Sequence, residues 1–250
     1  MSEKQLQLSP SQASMYLRCG LQWEFRYVRG IKTPPAGAML RGSALDGACN
    51  VHYKKKAKDK KGVKNKDFVD LAVSLHDEQL GREEVVMDVS EDKSRDMTAI
   101  GAKAYHSSIG CSLQPRSAED VQLELVKKIG GVLVLMYVDL VTEEESIIDT
   151  KFKAQFPNAE EIKRDLQLGT YSLATGIRRV GWAVVRPMGD TKLIVGDRNT
   201  QSLKAVVDTY QRVAGGIRAG VAMPALPGNW WCTAKWCGYW SICRHGGKCG

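Results

Sequence analysis

Two aspartates and a lysine stand where two apolar segments meet. VLVLMYVDLV carries Asp139, and SIIDTKF carries Asp149 and Lys151. The polar stretch TEEES, Thr142 to Ser146, lies between them and reads as a hairpin turn. A turn centred on Glu144 sets Asp139 directly opposite Asp149, and opposed residues project to the same side of a sheet. Lys151, two residues beyond Asp149, shares that side. Burying unpartnered charge is costly, so facing carboxylates call for a cation between them. Hard oxygen ligands suit Mg2+ or Mn2+. A cation so held polarises a phosphodiester and lowers the pKa of a bound water. Lys151 would position that water or offset charge in the transition state. The chemistry is metal-assisted phosphodiester hydrolysis.

Gln167 and Tyr171, in DLQLGTYSL, are four apart on a predicted helix and share one face. A glutamine amide can hold a phosphate or a water, and a tyrosine can stack or donate. Near the end of the chain, Cys232, Cys237 and Cys243 are separated by four and five residues, with Cys19 far away in sequence. Three clustered thiolates and one distant thiolate make a four-ligand soft-metal site, which suits an iron–sulfur cluster or zinc. Cys249 is a local alternative to Cys19. Cys19 is preferred because it would staple the two ends of the chain together, with Trp231, Trp236 and Trp240 shielding the metal.

The elements that must position these groups can be read from caps and periodicity. Ser9-Pro10-Ser11-Gln12 opens a helix to about Arg18, with Ser9 as cap and Gln12 completing a capping box. A short second helix is expected over Trp23–Val28, then a loop with Pro34, Pro35 and Gly37. A helix over Ala38–Tyr53 carries Asp46. Helical periodicity resumes over Asp67–Leu80 and again over Ser94–Ser108. Val121–Leu125 alternates like a strand, and Gly130-Gly131 marks a turn before the hairpin. Asn158 with Glu161 caps a helix expected to run to about Thr175. Strands over Gly181–Arg186 and Lys192–Val195 precede a long helix over Thr200–Ile217. The tail from Pro224 reads as irregular.

The 250-residue chain is long enough for a sizeable core, and its 43% apolar and 26% charged content is that of a globular protein. No apolar run is long enough to span a bilayer, and the start lacks a signal-peptide core. A cytoplasmic protein without a membrane partner is expected. Seven cysteines without an export signal argue against a disulfide framework. The net charge is +8, and Lys54–Lys66 alone holds eight lysines and one aspartate. That segment reads either as a solvated loop or frayed helix, or as a contact for nucleic-acid phosphates.

Taken in order, LSPSQASMYLRCG, RGSALDGA, MYVDLV, IIDTK, QLGTY and WWCTAKWCGYWSIC resemble the PD-(D/E)XK nuclease superfamily. Within it they are most similar to the RecB-like exonucleases with an iron–sulfur cluster, a group that includes CRISPR-associated and phage-encoded members. The resemblance covers roughly Leu8 to Cys243. It implies an α/β fold with a restriction-endonuclease-like core, a central mixed sheet flanked by helices, and an iron–sulfur-stapled C-terminal lobe. The expected organisation is one domain: a helical part over 1–110, the nuclease core over 111–222, and a Cys-rich lobe over 223–250 completed by Cys19.

The resemblance also implies roles. Asp139, Asp149 and Lys151 match the catalytic residues. Asp139, Asp149 and the Thr150 carbonyl match the metal ligands. Gln167 and Tyr171 match a DNA-contacting motif, and Cys19, Cys232, Cys237 and Cys243 match the ligands of a 4Fe-4S cluster. The family usually places a histidine ligand where this chain has Asp46, a carboxylate that also suits Mg2+ or Mn2+. It usually has glycine at Met136, proline at Gly20, and a shorter interval than Cys232 to Cys237. Glu124 is either a further acid near the metal or a solvent-facing residue. The implied activity is a metal-dependent DNA exonuclease acting on single strands or duplex ends, in recombination, replication or repair. The alternatives are a catalytically inactive iron–sulfur or zinc nucleic-acid-binding module, and an accessory nuclease of CRISPR adaptation.

Overall fold

A computed structural model describes residues 6–226 and 228–246. In chain order the elements are β1 (Gln7–Leu8), α1 (Pro10–Arg18), α2 (Gly20–Trp23), α3 (Gly37–Asp59), α4 (Asn65–Arg82) and α5 (Glu91–Tyr105), followed by β2 (Val121–Ile129), β3 (Val132–Val141), β4 (Ser146–Phe152), α6 (Leu166–Thr175), β5 (Arg179–Val185), β6 (Thr191–Asp197) and α7 (Thr200–Arg218). π-helical turns at Glu24–Val28 and His106–Gly110 extend α2 and α5. The chain forms two compact units. The first comprises residues 1–34, 126–135 and 204–250, and the second comprises 35–125 and 136–203. Among the described residues, no helix is long and apolar enough to cross a membrane.

The second unit carries a mixed sheet. The end of β3 pairs antiparallel with β4, β4 pairs parallel with β5, and β5 pairs antiparallel with β6. The predicted hairpin register holds: Leu140 faces Ile148 and Val141 faces Ile147. Helices α3, α5 and α6 pack on these strands. Strand alternation divides β4 between two environments. Ile148 joins a core with Leu45, Ala48, Phe68 and Tyr105, and Thr150 Oγ1 lies 3.2 Å from the Tyr105 hydroxyl. Lys151, on the opposite side, reaches Gln167 of α6.

Two expected boundaries move for local reasons. Helix α3 does not stop at Tyr53 but runs to Asp59, well into the lysine-rich stretch. It ends because Asp59 Oδ1 accepts the N–H groups of Lys61 and Gly62, and Lys60 takes a left-handed conformation. Gly62, at φ 74°, is required there, since a Cβ would lie 2.5 Å from the His52 ring. The single helix expected from Asn158 to Thr175 is two. A 3-10 turn over Ala159–Lys163 has the foreseen capping box. Then Asp165 caps α6 afresh, its Oδ1 accepting from Leu168 N at 2.7 Å. Arg198, almost fully buried, holds the break by donating to the carbonyls of Ile162 and Asp165.

In the first unit, Ser9 caps α1 as expected, accepting from Gln12 N at 3.2 Å. β1, which the sequence reading missed, pairs parallel with the start of β3 through Gln7–Leu133 and Leu8–Val134. A small core gathers Cys19, Leu21, Phe25, Ala225, Cys237 and Tyr239. Phe25 stacks on Tyr239, whose hydroxyl donates to Ile31 O at 3.0 Å.

Candidate active site

Asp46, Asp139, Asp149, Lys151, Gln167 and Tyr171 all lie in the second unit, on α3, β3, β4 and α6. Asp139 Oδ2 accepts the backbone N–H of Thr150 at 2.9 Å, which pins its carboxylate against the neighbouring strand. Asp149 is 1% exposed, and its Oδ1 has no hydrogen-bond partner. Its Oδ2 meets Lys151 Nζ at 2.6 Å. Lys151 also donates to Gln167 Oε1 at 3.2 Å, and Gln167 Nε2 reaches the Tyr171 hydroxyl at 2.6 Å. The residues four apart on α6 thus form a relay that ends on the lysine. Tyr171 is buried, and its hydroxyl is pushed well up by burial and then by the charges of Asp149 and Asp139.

Asp46 joins this group. Its Oδ1 and Oδ2 accept from Gln122 Nε2 at 3.2 and 3.3 Å, and Asn50 Nδ2 lies 3.4 Å from Oδ2. All three aspartates hold their protons more tightly than usual. Burial is the first cause for each. The Asp149 charge adds to it for Asp46, the Asp46 charge for Asp139, and the Asp139 charge for Asp149. Lys151 opposes the rise in every case. Burial works against the charge on Lys151 itself, but Asp149 outweighs it and its pKa rises. The lysine is a fixed cation.

Gln122 is a site residue that the sequence reading passed over. It sits in β2 with φ 55°, a left-handed conformation that is rare for glutamine. This kink turns its amide onto Asp46. An isolated glutamine in a strand carries no sequence signal of such a kink. Glu124, weighed as an additional acid, is exposed, and the solvent-facing reading is the one that stands.

The lysine-rich segment divides. Lys56 is buried and donates to the carbonyls of Gly110 and Cys111 at 2.9 and 2.7 Å, so it is a structural staple. The other seven lysines of the segment are exposed.

Cys19, Cys232, Cys237 and Cys243 line one small cavity in the first unit, with Phe25, Trp231, Tyr239 and Trp240 around them. Burial raises the Cys232 thiol, and Cys237, Cys19 and Cys243 add to it in that order. Gln22 Nε2 donates to Cys237 Sγ at 3.2 Å. Gly20 has a reason to stand where the family resemblance implies proline. Its N–H donates to Met223 O at 2.7 Å, which proline cannot do, and a Cβ would lie 2.7 Å from Met223 N. Trp231 and Trp240 form part of the cavity wall, but Trp236 does not shield it: its ring points outward and is 55% exposed. Cys249 lies outside the described residues. Among the described residues, no three or more His, Cys, Asp or Glu side chains are drawn together as a closed metal-ligand set.

A family model described as the PD-(D/E)XK nuclease superfamily matches residues 7–244. No curated protein sequence matches the chain. Among solved structures, one from Eubacterium rectale with a provisional designation as an exonuclease is similar in fold. It has a TM-score of 0.54 and 11% identity, over 89% of this chain and 85% of that one. The structure of SSO0001 aligns over 98% of this chain and 87% of its own at 11% identity, with a TM-score of 0.44.

Proposed function

We propose, from the premise that this chain belongs to the PD-(D/E)XK nuclease superfamily, that it is a Mg2+- or Mn2+-dependent exonuclease acting on DNA. The observation that carries the reading is the site on α3, β3, β4 and α6. There a buried carboxylate oxygen without a partner, Asp149 Oδ1, stands among two further acids and one fixed cation. An orphaned buried acceptor is costly, and a divalent cation is the partner that satisfies it while bringing all three acids to their charged form. The donor set is all oxygen, as hard cations require.

Asp46, Asp139, Asp149 and the Thr150 carbonyl would hold the metal. Bound there, Mg2+ or Mn2+ would polarise the scissile phosphate and acidify a water. The chain's own groups do the rest. Lys151, charged throughout the neutral range, donates to the attacking water or to a phosphate oxygen on which charge develops. Gln167 keeps the ammonium in place, and Tyr171 keeps Gln167 in place. Asp139 fixes the β4 backbone through Thr150 N and so sets the direction of the Thr150 carbonyl. Asp46 in the histidine position favours an active site over a lost one, because its carboxylate shares the electrostatic field of Asp139 and Asp149.

The support for a soft metal group is the donor type: the four cysteines line one cavity with aromatic walls, and thiolates are the ligands such groups take. A 4Fe-4S cluster or zinc there would act structurally, joining the start of the chain to its tail. The Gln22 amide would donate to a bound sulfur.

The exonuclease reading is tested by comparing linear DNA with covalently closed circular DNA of the same sequence, in the presence of Mg2+ or Mn2+. Loss of the linear form with the circle intact is expected. Equal cleavage of both would replace the exonuclease reading with an endonuclease one.

A further inference from the structure

The basic surplus of this protein is not where the lysine run suggests. Among the described residues of the first unit, eleven lysines and arginines stand against two acids, Glu24 and Asp208. In the second unit, twenty-three stand against twenty-five, lysine run included. Glu24 is itself paired with Arg29 at 2.5 Å. The first unit is therefore the polycationic part of the molecule.

This unit also presents bare aromatic rings. Trp230 is 64% exposed and Trp236 55% exposed. Water contact over two tryptophans forgoes a large burial energy, so such a pair marks a contact surface. The rings pack on one another. Trp230 meets Trp231 edge-on at 5.6 Å, and Trp236 meets Trp230 at 5.6 Å and 90°. Trp231 is anchored in the wall of the cysteine cavity. Turn hydrogen bonds from Cys232 N to Asn229 O and from Cys237 N to Thr233 O, both 2.9 Å, fix the backbone between the rings. The exposed Lys235 places its Nζ 4.8 Å from the centroid of the Trp236 ring.

From this juxtaposition we infer that Trp230, Lys235 and Trp236 form a binding platform for unpaired nucleic-acid strand. Bases stack on the two tryptophans, and the phosphates are held by Lys235 and the positive field of the unit. Aromatic faces accept any base, and cations take the backbone, so recognition is independent of sequence. Bases inside a duplex have their faces already stacked and cannot use the platform. The inference rests on the nuclease reading only in taking nucleic acid as the partner, and it holds or fails separately from catalysis.

The test is binding of a labelled oligothymidylate, and of a hairpin duplex of equal charge, to the full-length metal-loaded protein and to its Trp230→Ala, Trp236→Ala and Trp236→Phe forms. Calcium in place of Mg2+ or Mn2+ keeps the strands uncut. Each alanine form is expected to lose roughly tenfold in affinity for the single strand, with duplex binding unchanged and the phenylalanine form close to the parent. Quenching of the parent's tryptophan emission by oligothymidylate is expected as well, and it decides the matter if an alanine form fails to fold. Unchanged single-strand affinity in the alanine forms, or equal loss for duplex and single strand, would overturn the platform. So would an unquenched parent, or a parent that binds anionic vesicles and not oligothymidylate. Cleavage lost with platform binding intact would count against the catalytic reading alone.

Discussion

The Lys151 ammonium lies 3.2 Å from the Gln167 side-chain oxygen, so the lysine of β4 is held by α6 as well as by its own strand. Asp149 alone would let the ammonium swing about the carboxylate. Two acceptors on two elements fix its direction, as a group acting on a reacting phosphate requires. Gln167→Ala is therefore expected to lower kcat about 10- to 100-fold with little change in melting temperature. Steady-state cleavage beside a thermal melt checks this. An unchanged kcat would remove Gln167 from the site.

The three aspartates tie metal binding to pH. Their folded pKa values stand at about 6, 6 and 7 for Asp46, Asp139 and Asp149. The unfolded value is about 3.9. Below about pH 4 both states are protonated and no penalty arises. Between about pH 4 and 7 the unfolded chain ionises first, so the metal-free fold loses stability as pH rises. A divalent cation favours the ionised acids and reverses this loss. Melting with Mn2+ and with chelator, at pH 5 and pH 8, should show the larger metal-induced rise at pH 8. Equal shifts at both values would place the metal elsewhere.

Asp46 is held by Gln122 and Asn50, at the place where the family resemblance implies a histidine ligand. A nitrogen ligand there suits softer cations better than Mg2+. Asp46→His is expected to keep metal-dependent cleavage and raise the ratio of Mn2+ to Mg2+ activity, whereas Asp46→Ala loses most activity with both. Activity ratios across the two metals read this directly. Full activity of the alanine form would show that Asp46 is not a ligand.

Much of this site was legible in the sequence, for definite reasons. The hairpin register follows from a short turn and strict alternation, so the sequence alone sets Asp139, Asp149 and Lys151 on one side of the sheet. Gln167 and Tyr171 follow from helical spacing. Gln122 was not legible, because its place depends on a left-handed kink inside a strand. Lys56 resembles its neighbours in sequence, and only tertiary packing separates it from them. Trp236 was expected to cover the cysteines, yet it is exposed to solvent. The break before α6 depends on Arg198, more than thirty residues downstream.

The cysteine cavity carries its own expectation. If a metal group joins Cys19 to the tail, losing one ligand costs folding energy as well as the group itself. Cys237→Ala should lower the melting temperature by at least ~5 °C and reduce the bound iron or zinc measured by elemental analysis. An unchanged melt would count against a structural metal.

Catalysis by the Asp139, Asp149 and Lys151 hairpin is tested most directly by digestion of end-labelled linear DNA with Mg2+ or Mn2+ by the parent protein and by Lys151→Ala, each with its metal content verified. Label release by the parent, none with chelator, and a loss of at least ~100-fold in the variant are expected. Undiminished cleavage by Lys151→Ala, or no cleavage by the metal-loaded parent, would contradict catalysis by this hairpin.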